Sequence, residues 1–329
     1  MTHATTALRR VRSLAASQDD VVTRQQVLDS GVPEQLLRML VAAGDWKRLQ
    51  RGTYLVEPAR EGGDLQRSWG RSGVLLVPGA VVSHHTAAVL LGVQGVPRTG
   101  VVHVTRAAKA APRRLLVPHR AVLGPHDVVD LGGLLVTSPC RTLADLVPRL
   151  DPMTGLAVLD SALHTELASS SDLDAAHAIA ERFAGHPITA GVWAMADGRA
   201  ASPLESRVRW RCVRCGVVPV ELQRVVLGRS GEVVARADFS FDWGQLHEAL
   251  GVPLPPGPLR KLPLLGEADG RRYHPDLDDE LEDTLVWDRR RQNAVTALGF
   301  SVVRFTWSDT LSRGAVAAGL RDQLLGEAA

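Results

Sequence analysis

Two short apolar runs carry acidic residues where acids are costly. Arg236-Ala237-Asp238-Phe239-Ser240-Phe241 and Leu264-Leu265-Gly266-Glu267-Ala268-Asp269-Gly270 both read as β-strands, with Asp238 and Glu267 at mid-strand positions. Acidic residues are depleted in sheets, and a carboxylate among apolar neighbours must be paired or hold a cation. Side by side, the two strands bring Asp238, Glu267 and Asp269 to one sheet edge. Hard divalent cations such as Mg²⁺ favour oxygen ligands of this kind. A Mg²⁺ held by Asp238 and Glu267 lowers the pKa of a bound water and stabilises charge on a scissile phosphate. That chemistry is phosphodiester cleavage. In the competing reading the acids pair with Arg236, Arg289 or Arg304 in a fold that has lost turnover.

The elements that must position these acids are legible. Ser202 is an N-cap, Pro203 the first helical residue, Glu205 the third, and Gly216 lies past the end. Glu205 is thus either a supporting acid or the capping partner of Ser202. A hairpin follows, with Val225-Val226-Leu227 and residues 233–238 around a turn at 228–231. Residues 251–258 are too rich in Pro and Gly for regular structure and read as a surface insertion. An acidic stretch from Asp276 to Asp283 leads into a helix from about Thr284 to Leu298, ended by Gly299. A strand over 301–306 and a helix over 311–325 close the chain. The order αβββαβα, with acids in the middle strands, predicts a restriction-endonuclease-like core. Cys212 and Cys215 form a C-x-x-C without a second pair, and share a helix face with Leu204 and Val208, so core packing is expected.

The N-terminal segment has a helix-helix-helix-hairpin rhythm. Leu8, Val11, Leu14 and Ala15 make one stripe; Thr23 caps a short helix ended by Gly31; Pro33 opens a third ended by Gly44. Trp46–Leu49 and Thr53–Val56 flank Gly52 as a hairpin. This predicts a winged helix-turn-helix, whose third helix enters the major groove. That helix presents Glu34, Gln35 and Arg38, with Lys47 beyond its end, and the wing presents Arg48 and Arg51. The middle segment is α+β: Ser83 opens a helix ended by Gly92, Val101–Thr105 and Leu134–Val136 are strands, and Ser138-Pro139 opens another helix. Adjacent His84 and His85 point about 100° apart in a helix and cannot chelate one ion together, so capping or packing roles are expected. Asp151–Arg199 is helical, broken at Ser169–Ser171 and bent near Gly185–Pro187.

At 329 residues the chain is long enough for two or three cores, and its composition, 45% hydrophobic and 22% charged, is that of a globular protein. A formal charge of +2 means that nucleic-acid contact must come from local arginine clusters. No long apolar run predicts a membrane span, the N-terminus lacks a signal-peptide pattern, and three cysteines fit a reducing cytoplasm.

The residues also resemble known families. Ser202-Pro203-Leu204-Glu205-Ser206, Ala237-Asp238-Phe239, Gly266-Glu267-x-Asp269-Gly270, Asp288-Arg289-x-Arg291 and Val303–Trp307 resemble the very-short-patch-repair-like (Vsr-like) endonucleases of the PD-(D/E)xK superfamily. Val22-Thr23-Arg24, Trp46–Tyr54, Ser83-His84-x-Thr86-Ala87-Ala88 and Thr137–Asp145 are similar to the AbiEi antitoxin of the abortive-infection type IV toxin–antitoxin system. The resemblance implies an α/β multidomain chain: a winged helix-turn-helix at 1–60, a middle antitoxin-like α+β domain at 61–200 and an endonuclease-like domain at 201–329. It implies catalytic roles for Asp238, Glu267, Asp269 and Glu205, with Asp238 and Glu267 on Mg²⁺. The superfamily's lysine should stand where Asp269 is; Arg272 or His274 is the nearest substitute cation, and Arg289 or Arg304 the next. Arg289 and Arg291 join Gln35, Arg38, Lys47, Arg48 and Arg51 as expected DNA contacts. The implied partners are double-stranded DNA and a cognate toxin. The implied function is a DNA-binding protein with a Mg²⁺-dependent endonuclease domain, or an antitoxin-like regulator with an inactive nuclease fold.

Overall fold

The computed structural model describes residues 3–56, 63–97, 99–254, 260–270 and 289–326. Two compact units emerge rather than three sequential segments: residues 1–151 with 166–193, and residues 152–165 with 194–329.

The first unit opens with α1 (His3–Ala16), β1 (Val21–Thr23), α2 (Arg24–Asp29), α3 (Glu34–Ala43), β2 (Lys47–Gln50) and β3 (Thr53–Leu55). The expected stripe is buried through Ala7, Val11 and Ala15. Thr23 caps α2 in a reciprocal box with Gln26, and Gly44 ends α3 in the left-handed region, φ 85°, which glycine adopts without a Cβ clash. The one element not expected is β1. It pairs antiparallel with β3 and makes a three-stranded sheet of order β1-β3-β2.

Next come α4 (Gly63–Leu76), β4 (Val81–Val82), α5 (His84–Leu90), β5 (Val102–Arg106), β6 (Leu116–Arg120), β7 (Val128–Asp130), β8 (Leu135–Thr137) and α6 (Pro139–Leu146). The five strands form a mixed sheet of order β6-β5-β4-β8-β7. Helix α4 lies close against it because Gly73 has no side chain: a Cβ there would stand 2.6 Å from Val102 Cγ1 and 3.0 Å from Val104 Cγ1. Helix α6 is held by Arg141, whose guanidinium donates to Asp145 at 2.9 Å and Asp127 at 3.1 Å. Ser138 caps α6 as expected. Ser83, by contrast, makes no side-chain cap bond to α5; its hydroxyl accepts from Thr105 at 2.8 Å.

His84 and His85 pack against two strand histidines, His103 and His119. His84 stacks on His119 with centroids 3.5 Å apart, and His103 Nδ1 lies 2.9 Å from His119 Nε2. Burial, helped by the Arg149 guanidinium and the neighbouring rings, holds all four imidazoles neutral, with His103 and His119 pushed down to about 4.

The second unit begins with α7 (Pro152–His164); α8 (Ser170–Ala180) and most of α9 (His186–Met195) belong to the first. Then follow α10 (Pro203–Arg214), β9 (Glu221–Leu227), β10 (Val233–Phe241), α11 (Trp243–Leu250), β11 (Leu264–Asp269), a helix α12 over 289–297, β12 (Ser301–Thr306), α13 (Trp307–Leu311) and α14 (Ala315–Gly326). The sheet order is β12-β11-β10-β9, antiparallel except for β11–β12. The expected strand order holds, with two differences. Asp242 caps an unexpected helix, α11, by accepting from the Gln245 N–H, and the closing helix is broken at residues 312–314 into α13 and α14. Residues 255–259 of the Pro-rich stretch, the acidic run 276–283 and Thr284, where a helix is expected to begin, lie outside the described residues.

Helix α7 joins this unit through a buried ion pair. Arg209 on α10 grips both oxygens of Asp160 at 2.6 and 2.8 Å, and Asp160 also accepts the Asp197 N–H at 2.8 Å. Cys212 is fully buried among Leu204, Val208 and Phe239, which is the packing role expected of it.

Two outcomes follow from these cores. Removing one partner of a buried pair strands the other's charge, so Asp160→Ala should cost about 3–5 kcal/mol, read by denaturant unfolding. Asp160→Leu combined with Arg209→Leu should lose much less. For the histidine layer, folded pKa values lie below the ordinary 6.5, so the unfolded chain binds more protons in acid. Stability should therefore fall as pH drops from about 6.5 to about 4, and His119→Phe should flatten that dependence in thermal melts.

Candidate nucleic-acid interface and carboxylate cluster

Gln35 and Arg38 on α3, Lys47 and Arg48 on β2, and Arg51 in the hairpin turn are all exposed. Capping explains the presentation: Thr23 and Gly44 fix the ends of the two helices, and Gly52 at φ 96° turns the hairpin. Arg48 lies over the Tyr54 ring, 5.9 Å from its centroid, which leaves its guanidinium at the surface. Glu34, at the start of α3, is paired with Arg24 and so withdraws its negative charge from that face. Among the described residues none of Arg38, Lys47, Arg48 and Arg51 has a carboxylate partner.

In the second unit Asp238 and Glu267 lie on neighbouring strands, one step beyond the Phe239–Gly266 pair. Asp238 Oδ2 accepts the Ala268 N–H at 2.7 Å, and its Oδ1 accepts from Gln223 Nε2 at 3.2 Å. The same Gln223 amide donates to Glu205 Oε2 at 2.8 Å. Burial, with the Glu205 carboxylate adding to it, pushes Asp238 up to about 6 in spite of these hydrogen bonds. Glu205 also performs the capping role: it accepts from the Ala201 N–H and from Ser202 Oγ, both at 2.8 Å.

Glu267 faces guanidiniums instead. Arg291 pairs with it at 3.1 Å and Arg304 at 3.0 Å, and Arg304 reaches Asp269 at 3.2 Å. Sequence reasoning assigned Arg291 to DNA; α12 spends it on Glu267, because a carboxylate on an apolar strand requires neutralisation. Arg289 is exposed, as a phosphate contact requires. Arg272 and His274 lie outside the described residues.

The fit to Mg²⁺ follows from these contacts. The ion demands near-octahedral oxygen donors with little competition from cations. Among the described residues no group of three or more His, Cys, Asp or Glu is arranged to hold a metal. Glu267 spends its oxygens on two guanidiniums, and Asp238 on an amide and a backbone N–H. The residues as placed do not fit Mg²⁺.

Gln223 escaped sequence reasoning. It sits at φ 54°, a left-handed conformation that is costly for a non-glycine residue in a strand, and this conformation accompanies its position between the two acids. Its signal in the sequence is only a polar amide in a strand that also carries Glu221 and Arg224, and the strand register sets it across from Asp238.

Comparison with known proteins bears mainly on the N-terminal region. Two Mycobacterium tuberculosis proteins, uncharacterized protein MT2308 of strain CDC 1551 / Oshkosh and uncharacterized protein Rv2248 of strain ATCC 25618 / H37Rv, are each 29% identical to this chain over 209 residues, 63% of this chain and 74% of theirs. The crystal structure of RV2827C protein from Mycobacterium tuberculosis covers 59% of this chain and 82% of its own at 18% identity; its TM-score of 0.34 carries no structural argument. Residues 9–56 match the family described as transcriptional regulator, AbiEi antitoxin. The chain therefore opens with a regulator domain of the AbiEi antitoxin type.

Proposed function

We propose that the protein is a DNA-binding transcriptional regulator of the antitoxin type, with duplex DNA as its first partner and a cognate toxin as its second. The observation that carries this reading is the unpaired polar and cationic face of α3 and the β2–β3 hairpin, within the segment matched to the AbiEi regulators. The order α1-β1-α2-α3-β2-β3, with a β1-β3-β2 sheet, is that of a winged helix-turn-helix, in which the third helix reads bases and the wing meets phosphates. Among the described residues no helix is long and apolar enough to cross a membrane.

Replacing Arg48 and Arg51 with Ala should weaken binding to all duplex sequences alike and reduce the salt slope by about 1 for each phosphate no longer neutralised. Replacing Gln35 or Arg38 should instead change sequence preference, by about 1–3 kcal/mol at the base affected. Fluorescence anisotropy with a panel of duplexes reads both. Absence of any affinity for duplex DNA at low salt removes the proposal.

A second reading, a Mg²⁺-dependent endonuclease, is favoured by one observation: Asp238, held at a pKa near neutrality beside Glu205, is the kind of perturbed acid that clusters at catalytic sites. If the second unit cleaves DNA, Asp238→Asn and Glu267→Gln should each abolish nicking of supercoiled plasmid in Mg²⁺ or Mn²⁺, with EDTA as the blank. Each variant is first shown to be folded, since Glu267→Gln removes the carboxylate that pairs with both Arg291 and Arg304. Wild-type protein that does not nick DNA ends this reading. A stability measurement separates the roles further. Asp238 binds its proton more tightly folded than unfolded, so the folded wild type loses stability as pH rises from about 4 through about 6. Asp238→Asn should therefore melt higher than wild type at pH 8, and the gain should shrink at pH 4.5.

A further inference from the structure

A groove of about 500 Å³ in the first unit is lined by Arg48, Gln50 and Arg51 of the hairpin and by Arg113, Arg114 and Leu115 ahead of β6. All four arginines are exposed, and among the described residues none has a carboxylate partner. Elsewhere in this unit Arg67, Arg71 and Arg141 sit on aspartates instead. Four unpaired guanidiniums around one depression repel one another unless an anion lies between them.

The groove is a built feature. Arg113 and Leu116 exchange backbone hydrogen bonds, N–H to O at 2.8 and 3.1 Å, and this closes a tight turn that displays Arg113 and Arg114. On the opposite wall Gln50 Nε2 donates to Ser72 Oγ of α4 at 2.8 Å, a buried bond that fixes the hairpin to α4. Helix α4 in turn packs on β5 and β6 across Gly73, whose missing side chain admits Val102, Val104 and Leu116. The two arginine pairs are thus carried by one rigid bracket.

We propose that this groove holds the sugar-phosphate backbone of duplex DNA, so that the backbone gripped by the wing continues onto Arg113 and Arg114. The proposal rests on the DNA-binding reading and deepens it: the footprint of the wing extends onto the middle region. Guanidinium forks bind phosphate oxygens in bidentate fashion, and a run of successive phosphates matches an elongated cationic groove better than a single anion does.

The test uses the full-length chain and the salt dependence of duplex binding. Arg113→Ala with Arg114→Ala should weaken binding about tenfold near 100 mM salt and lower the slope of log K against log salt by about 2, equally for all sequences. Arg113→Lys with Arg114→Lys keeps the charges and should retain most of the slope. Because the residues are exposed, melting temperatures should not change, which separates the effect from unfolding. A free nucleoside triphosphate at millimolar concentration is the competing arm. If the double alanine variant binds DNA with wild-type affinity and slope while Arg48→Ala with Arg51→Ala weakens it, the groove is not on the DNA path and the proposal falls alone. If the alanine variant loses nucleotide binding but not duplex binding, the groove serves a nucleotide and the proposal is overturned. If wild-type protein has no affinity for duplex DNA, this inference falls together with the regulator reading.

Discussion

The first unit depends on one acid gripped by two arginines. Asp19 follows α1 in the left-handed conformation, φ 52°, as does Asp20, φ 59°. Its carboxylate takes the Arg67 guanidinium at 2.5 Å and that of Arg71 at 2.7 Å. The far sides of the same guanidiniums reach the turn before β8: Arg67 donates to the carbonyls of Leu131 and Gly132, and Arg71 to that of Gly133. Two side chains, one helical turn apart on α4, therefore bind the N-terminal helix-strand region to the five-stranded sheet. A left-handed aspartate costs backbone energy, and charge-assisted hydrogen bonds worth about 1.5–3 kcal/mol each can offset that cost. The hairpin is joined to the same helix separately, through the Gln50–Ser72 bond.

The second unit solves a different problem. Three acids on its two central strands and Glu205 on α10 cluster together, and the fold answers each in a particular way. Glu205 is satisfied by its own helix N-terminus, Asp238 by an amide and a backbone N–H, and Glu267 and Asp269 by Arg291 and Arg304. A catalytic carboxylate site needs the reverse, oxygens left open toward a cation. Among the described residues guanidiniums lie against the oxygens of Glu267 and Asp269. The regulator reading leads because residues 9–56 match the AbiEi regulators. Asp238, still tuned toward neutrality, is the one group that keeps the other reading open to experiment.

Local order was legible wherever a single residue type determines a backbone choice. Thr23, Ser138 and Ser202 mark helix starts, Gly44, Gly216 and Gly299 mark ends, and β12 runs over the span its alternation predicts. Features made by distant partners were not legible. The histidine layer needs His103 and His119 on two strands beneath α5, and nothing local ties those positions to Ser83-His84-His85. Helix α7 reads as the neighbour of the helices that follow it, yet Asp160 commits it to Arg209 on α10. The motifs quoted for the antitoxin resemblance proved largely structural. Thr137, Ser138, Arg141 and Asp145 cap and tie down α6, and Thr86 accepts the His103 N–H.

The same distinction explains how a nearly neutral chain can present a cationic face. A net charge of +2 provides no long-range field to draw in a polyanion, so binding must rest on where charge is left unneutralised. Arg67, Arg71, Arg141 and Arg209 tie elements together through aspartates and so contribute little outward potential. Those on the hairpin and on the turn before β6 are held in place by backbone hydrogen bonds, an aromatic ring or a neutral amide, so their charge remains available. Arg291, though it sits in a run of three arginines, is neutralised by Glu267, whereas Arg48, Arg51, Arg113 and Arg114 are exposed and have no carboxylate partner among the described residues.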